Sequence, residues 1–242
     1  MHLLRTQPGG FVPDDSFADL GQSAAELVIL CSGDSHLALL AETAEQLPGD
    51  YPSVRLANPM QVQNHASVDL YVDQVLRHAK LILVSLHGGV GYWRYGIEQL
   101  VELAARGVQV IMVPGDDRPD PELTGLSTVS SDQAERLWHY LRQGGKANAL
   151  NLFNCVGNLW FQRDYAWQEP EALARTVVYH PAKASAQLPD WYADWDPALP
   201  VAPLLFYRSH LQAANTAFID VFCQRLQMAG LNPLPIAVAS LK

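Results

Sequence analysis

Cysteine is scarce: Cys31, Cys155 and Cys223 are the three in a chain of 242 residues, and they stand far apart. None has the paired spacing of a zinc ligand set or a dithiol redox motif, so all three read as reduced, buried thiols. Positive charge is also in short supply, with 16 Lys and Arg against 25 Asp and Glu and a formal net charge of -9. That balance excludes the broad positive field of a nucleic-acid binder, and an anionic membrane surface would repel the chain; only local basic pockets remain open to it. No uninterrupted apolar run approaches the ~20 residues that a bilayer demands. The opening MHLLRTQPGGFVPDDSF has no apolar core of the signal-peptide kind. A soluble, cytoplasmic protein is expected.

Motifs for metal and nucleotide are missing as well. There is no HExxH, no His-x-His and no Cys/His cluster, so the eight histidines read as hydrogen-bonded surface or core residues. The P-loop pattern G-x-x-x-x-G-K-[ST] is absent, since GGKA at 144–147 lacks both the leading glycine and the hydroxyl. The dinucleotide fingerprint G-x-G-x-x-G is absent too. ATP binding by this chain is not expected.

What is present is a rhythm. With 49% hydrophobic residues the chain can bury a sizeable core. ELVILCS (26–32) is a strand candidate, followed by a helical period through GDSHLALLAETAEQL, with Asp34 and Ser35 as N-cap residues. SVRLAN (53–58) is a weaker strand, SVDLYVDQVLRHA (67–79) a helix that Ser67 would cap, and KLILVSL (80–86) a strong buried strand. YGIEQLVELAARG closes on Gly107, a helix C-terminal glycine, before the strand VQVIMVPG (108–115). SDQAERLWHYLRQGG and KANALNLFNCVGNLWF read as two further helices. Strands alternating with helices across short turns predict an α/β fold with a mainly parallel, flavodoxin-like, doubly wound sheet. Such a sheet binds ligands at the C-terminal ends of its strands.

Residues 146–200, which open on the largely buried helix of KANALNLFNCVGNLWF, read differently. Proline, tryptophan and aspartate gather in QLPDWYADWDPALPVAP, a strap with Trp191 and Trp195 as anchors. The rhythm then restarts with a strand in PLLFYRSH, a helix in LQAANTAFIDVFCQRLQMAG and a strand in LNPLPIAVASL. One strand-helix-strand unit cannot close a core alone. The expected division is therefore an N-terminal α/β domain over 1–195, and over 196–242 the start of a second α/β unit, truncated or docked on the first sheet.

The stretch SLHGGVGYWRYGIEQL (85–100) draws attention because a buried strand runs directly into His87, Gly88 and Gly89, then into Tyr92, Trp93 and Arg94. Glycines let the backbone turn sharply and leave amides facing outward near a helix N-terminus, where anions are favoured. Aromatic rings beside an arginine suit a flat, conjugated ligand that carries carboxylates. The competing reading is that the aromatics pack a helix onto the sheet.

The blocks SGDSHLALLAE, SVDLYVDQVLRHAKLILVSLHGGVGYWRYGIEQL, VPGDDRPDPELTGLST, RLWHYLRQGGKANALNLF and LLFYRSHLQAANTAFIDVFCQRLQMAGLNPLPIAVASLK together resemble the N-terminal region of the large subunits of aerobic cobaltochelatases, relatives of the magnesium chelatase H subunits. The resemblance implies insertion of cobalt into hydrogenobyrinic acid a,c-diamide, a corrinoid tetrapyrrole, in aerobic cobalamin synthesis. ATP would be hydrolysed by separate AAA+ partner subunits, and the large subunit would hold tetrapyrrole and metal. Family members are several times longer, so an inactive amino-terminal fragment is expected, with no cofactor of its own. The residues for metal insertion would lie beyond Lys242, and no catalytic or metal residue is assigned. Two departures from the family pattern are His87, in place of a leucine, and AANTA at 213–217.

The substrate-binding residues assigned are His87, Gly88, Gly89, Tyr92, Trp93 and Arg94 at one strand end and Arg208 and His210 of YRSH at another, with Ser209 as a helix cap. The arginines would pair with carboxylates and the histidines make polar contacts; Arg208 has a neighbouring-acid salt bridge as its alternative. Asp116, Asp117 and Asp120 of PGDDRPDPE read as a rigid solvated turn. Two rival functions compete with this reading. LVILCSGDSHLALL mimics the first block of GDS-type ester hydrolases, with Ser35 as nucleophile, but no Asp in the chain has His three positions later to act as base. The other rival is a stand-alone tetrapyrrole- or metabolite-binding module.

Overall fold

The computed structural model describes residues 17–183 and 186–240. The opening segment, read above for a leader, lies almost wholly outside them. Contacts gather the chain into two units, the first joining the chain up to Asp34 with Gly49–Glu135, the second joining Ser35–Pro48 with the chain from Arg136 onward.

The first unit is built on four parallel strands, β1 (Leu27–Cys31), β2 (Val54–Ala57), β3 (Leu81–Leu86) and β4 (Gln109–Pro114), in the order β2-β1-β3-β4. This is the flavodoxin-like order expected. Every residue of β1 and β3 is buried, which is why LVILC and LILVSL are apolar at every position but Ser85: a central parallel strand meets core on both faces. On one face Val28, Leu30, Ile82, Val84, Leu86, Val110 and Met112 pack with α2 (His65–Gln74) through Val68 and Tyr71, and with α3 (Arg94–Ala105) through Ile97, Leu100 and Leu103. The chain reverses direction across the sheet between β1 and β3, so their carboxyl ends form the topological switch point.

Helix α1 (Asp34–Ala44) follows β1 as expected. Helix α2 begins two residues before the expected Ser67, because the side chain of Asn64 accepts the Ala66 N–H at 2.9 Å and caps it. Ser67 is inside the helix, buried, and its hydroxyl accepts the Ala18 N–H at 2.8 Å. Gly107 takes φ of 100° just beyond α3, the left-handed turn only glycine enters without strain.

After β4 the chain forms α4 (Pro121–Thr124), α5 (Ser131–Gln143) and α6 (Gly145–Phe161). In the second unit β5 (Thr176–Val178), α7 (Leu188–Tyr192), β6 (Val201–Tyr207), α8 (Ser209–Gln212), α9 (Ala217–Met228) and β7 (Asn232–Val238) follow, and the sheet order is β5-β7-β6. Strands β6 and β7 are parallel, as a crossover through α9 requires; β5 adds antiparallel to β7. Both strap tryptophans are anchors: the Trp191 indole N–H donates to Tyr179 O at 2.7 Å and that of Trp195 to Pro233 O at 3.1 Å. The single helix expected over 211–230 is divided, with Ala214 at φ of 51° between α8 and α9. Ser209 does not cap it; Arg208 holds the N-cap position of α8 and makes no side-chain capping bond.

All three cysteines are buried. Desolvation pushes the Cys31 thiol up to about 11. Among the described residues no helix is long and apolar enough to cross a membrane.

Candidate functional site

The carboxyl rim of the first sheet collects the residues that the sequence singled out between 87 and 94. Strand β3 ends at Leu86, and Gly88 and Gly89 both take positive φ, 80° and 70°. They turn the chain into a 3₁₀ segment, Val90–Trp93, that runs directly into α3. Gly89 pairs its φ with ψ of -163°, a region essentially closed to residues with a Cβ. A Cβ there would also lie 2.7 Å from Asp120 Oδ2. Glycine at 89 thus lets the loops after β3 and β4 approach each other.

The three large side chains that follow differ in fate. Trp93 is buried, and its indole N–H donates to Val62 O at 3.0 Å, so it fastens the turn to the core. Tyr92 is 46% exposed, with its ring 3.4 Å from where a Cβ at Gly88 would stand. Arg94 is exposed at the first position of α3, and among the described residues its guanidinium makes no hydrogen bond or ion pair. Behind it Tyr95 donates to Asp69 Oδ1 at 2.6 Å and stacks on His65 with ring centroids 3.9 Å apart.

His87 is half-buried at the crevice between β1 and β3. Its backbone N–H donates to Ser32 Oγ at 2.9 Å, and its Nδ1 is 2.9 Å from the same oxygen. Ser32 was not singled out from the sequence. Nothing in the sequence marks it: Cys31 pairs with Ser85 in register, and that pairing, made only in the fold, brings the ends of β1 and β3 together at the rim. Asn58 was also missed; buried at the end of β2, it donates to Asp34 Oδ1 at 2.8 Å and accepts the Met60 N–H at 2.9 Å. Ser35, the nucleophile of the hydrolase reading, is exposed in the first turn of α1. The acids after β4 close their own turn: Asp116 accepts the Arg118 N–H at 2.9 Å and Asp120 the Leu123 N–H at 3.0 Å. Among the described residues no three His, Cys, Asp or Glu side chains converge on a metal position.

Arg208 and His210 belong to the second unit. The Arg208 guanidinium donates to Leu173 O at 2.9 Å. It therefore ties β6 to the segment that leads into β5, in place of the acid considered as its alternative partner. His210 lies between Phe206 and Phe218, at ring-centroid distances of 6.4 and 4.8 Å, and burial holds its imidazole below the usual histidine range.

Comparison with known proteins agrees with this architecture. Residues 138–242 match the family model CobN/Magnesium Chelatase. All 242 residues align with an aerobic cobaltochelatase subunit CobN of Pseudomonas aeruginosa at 68% identity, covering 19% of that protein. The whole chain also aligns with a protein of the same name from Sinorhizobium sp at 32% identity, covering 20% of it. Among solved structures, the catalytic subunit of cobaltochelatase from Mycobacterium tuberculosis superposes with a TM-score of 0.64 at 25% sequence identity, over 89% of this chain and 16% of that one. The chain thus spans about a fifth of the length of the curated relatives it matches. Over every residue the chain is similar to a part of aerobic cobaltochelatase subunits CobN, over 138–242 it matches the CobN/Magnesium Chelatase model, and it shares a fold with the catalytic subunit of a cobaltochelatase.

Proposed function

We propose that this chain is the N-terminal part of a tetrapyrrole-binding large subunit that inserts cobalt into hydrogenobyrinic acid a,c-diamide, with ATP hydrolysed on separate AAA+ partner subunits in the cytoplasm. The rim of the first sheet is its contribution to tetrapyrrole binding. The observation that carries this is Arg94, an exposed guanidinium without a partner among the described residues, beside the exposed ring of Tyr92 and the glycine turn. A carboxylate takes a forked pair of hydrogen bonds from such a guanidinium, and a conjugated macrocycle takes the face of the ring. Gly88 and Gly89 present backbone at close range, His87 makes a polar contact, and Trp93 supports the turn from below.

Arg208 and His210 are proposed as a second contact, on the strand-helix-strand unit that opens a second α/β domain. There Arg208 acts while tethered to Leu173, giving a fixed positive edge. The fragment alone is proposed to bind tetrapyrrole and to lack insertion activity.

The test uses the full-length large subunit with its partners, ATP, Co²⁺ and the diamide, and compares wild type with Arg94→Ala and His87→Ala. Removing a charge-assisted hydrogen bond that bound substrate and transition state share equally raises KM with little change in kcat, here by about tenfold for Arg94→Ala. Unchanged KM in both variants would remove the rim from the binding surface.

A further inference from the structure

Helix α6 carries asparagine at 148, 151, 154 and 158, a spacing that puts all four on one side of the helix. Asparagine is a poor residue for a helix interior, because its amide competes for backbone groups. Here each one holds the segment that returns along α6 in reverse order. Asn158 pairs with Tyr165 through both the N–H and the carbonyl, Asn154 donates to Ala166 O, Asn151 accepts the Gln168 N–H, and the buried Asn148 pairs with Glu171 through both groups, all at 2.8–3.0 Å. Gln143, at the end of α5, adds a last rung by accepting the Leu173 N–H at 3.0 Å. Beyond that rung the carbonyls of Leu173 and Ala174 lie 2.9 and 3.5 Å from Nη1 of Arg208. A guanidinium has five N–H groups in a planar fork. Among the described residues Nε and Nη2 of Arg208 make no hydrogen bond or ion pair, so the tether uses one nitrogen and leaves the Nε/Nη2 edge unused.

We propose that Gln143 and Asn148 are positioning residues for Arg208: by fixing the backbone of 171–174 they hold the guanidinium with Nη1 tied down and its Nε/Nη2 edge preset for a carboxylate of the ligand. An untethered arginine gives up rotamer freedom when it binds, and one already held in place gives up less. The edge left over takes both oxygens of a carboxylate in a forked pair. An amide offers it one acceptor oxygen in place of two, so the groups read here are tetrapyrrole side chains left as acids. The purpose of the device rests on Arg208 being a tetrapyrrole contact, as proposed above; the tether does not.

The experiment is nitrogen NMR of the 242-residue chain with ¹⁵N-labelled arginine, the Arg208 signals being assigned by their loss in Arg208→Lys, together with titration by hydrogenobyrinic acid a,c-diamide. In wild type the two Nη nitrogens of Arg208 are expected as separate signals, because a bonded Nη1 slows rotation about the Nε–Cζ bond. A single averaged signal in wild type overturns the proposal, and this result needs no positioning variant to fold. Gln143→Ala and Asn148→Ala should each merge the signals and weaken diamide binding roughly twofold to tenfold, the cost of ordering one long side chain. Gln143→Glu, which keeps an acceptor for the Leu173 N–H, should hold both readouts near wild type. In an Arg208→Ala background, Gln143→Ala should weaken binding no further, a result that a general loss of structure would not give. Separate signals kept in both alanine variants, losses that add in the double variant, or full binding by Gln143→Ala with its signals merged would each contradict the positioning role. If wild type shows separate signals and binds no diamide, the tether stands and the tetrapyrrole reading of Arg208 falls.

Discussion

Gly96 is the position where a single methyl group tests whether the rim is fastened as described. It lies in the first turns of α3 and is buried. A Cβ built there would stand 2.1 Å from Cε2 and 2.3 Å from Cδ2 of the Trp93 indole. On helix propensity alone, Gly96→Ala should stabilise by about 1 kcal/mol. Packing opposes this, because Trp93 is only 4% exposed and its N–H is held by Val62 O, so the ring has no free direction in which to yield. Overfilling a packed core costs about 1–3 kcal/mol, and driving a tryptophan out of it costs up to about 3–5 kcal/mol by analogy with Trp→Ala. The expected net effect is a loss of about 1–3 kcal/mol, measured by urea unfolding with the two-state slope checked. The double-mutant cycle sharpens it. In a Trp93→Ala background the obstruction is gone, and Gly96→Ala should become neutral or stabilising. If Gly96→Ala stabilises the protein with Trp93 in place, the buried-anchor account of the turn is wrong.

Other expectations follow from the same packing. Gly115→Ala, whose Cβ would stand 2.8 Å from the backbone of both Leu86 and His87, should cost about 1–3 kcal/mol in thermal or urea unfolding and weaken diamide binding along with it. Trp191→Phe strands the carbonyl of Tyr179, which the indole N–H now reaches at 2.7 Å, at about 1–3 kcal/mol; equal stability of variant and wild type would contradict that role. Alkali should destabilise the fold through its thiols. Burial moves Cys31 from the ordinary 9.0 to about 11, so the unfolded chain releases this proton first, and the contribution is complete below pH 9 and lost as pH rises toward 11. Unfolding midpoints should fall across that window and fall less in Cys31→Ala; a midpoint flat to pH 11 would refute the linkage.

Much of the first sheet was legible because its strands are fully buried. LVILC and LILVSL are apolar at nearly every position, a pattern a parallel central strand imposes, and Gly107 marked a helix end by the same conformational logic. β5 was not legible: three residues long, partly exposed and flanked by an irregular segment, it is set by pairing with β7, a partner more than fifty positions away. The break between α8 and α9 escaped for a related reason, since nothing in LQAANTAF marks a non-glycine residue at positive φ.

At the site, sequence proximity brought out His87 through Arg94 together, yet it could not say that Trp93 faces inward while Tyr92 and Arg94 face outward. Short segments that change from strand to 3₁₀ turn to helix have no single period to read. Ser32 escaped because its importance comes from strand register across more than fifty residues. Arg208 was recognised as an arginine at a strand end, but its use as a tether for the Leu173 carbonyl depends on how the strap folds back.

The most direct measurement is a spectrophotometric titration of the 242-residue chain with hydrogenobyrinic acid a,c-diamide, repeated with Arg94→Ala. The account predicts saturable binding by wild type and affinity about tenfold lower without the guanidinium, the worth of one charge-assisted hydrogen bond. Identical binding curves for the two proteins would contradict it.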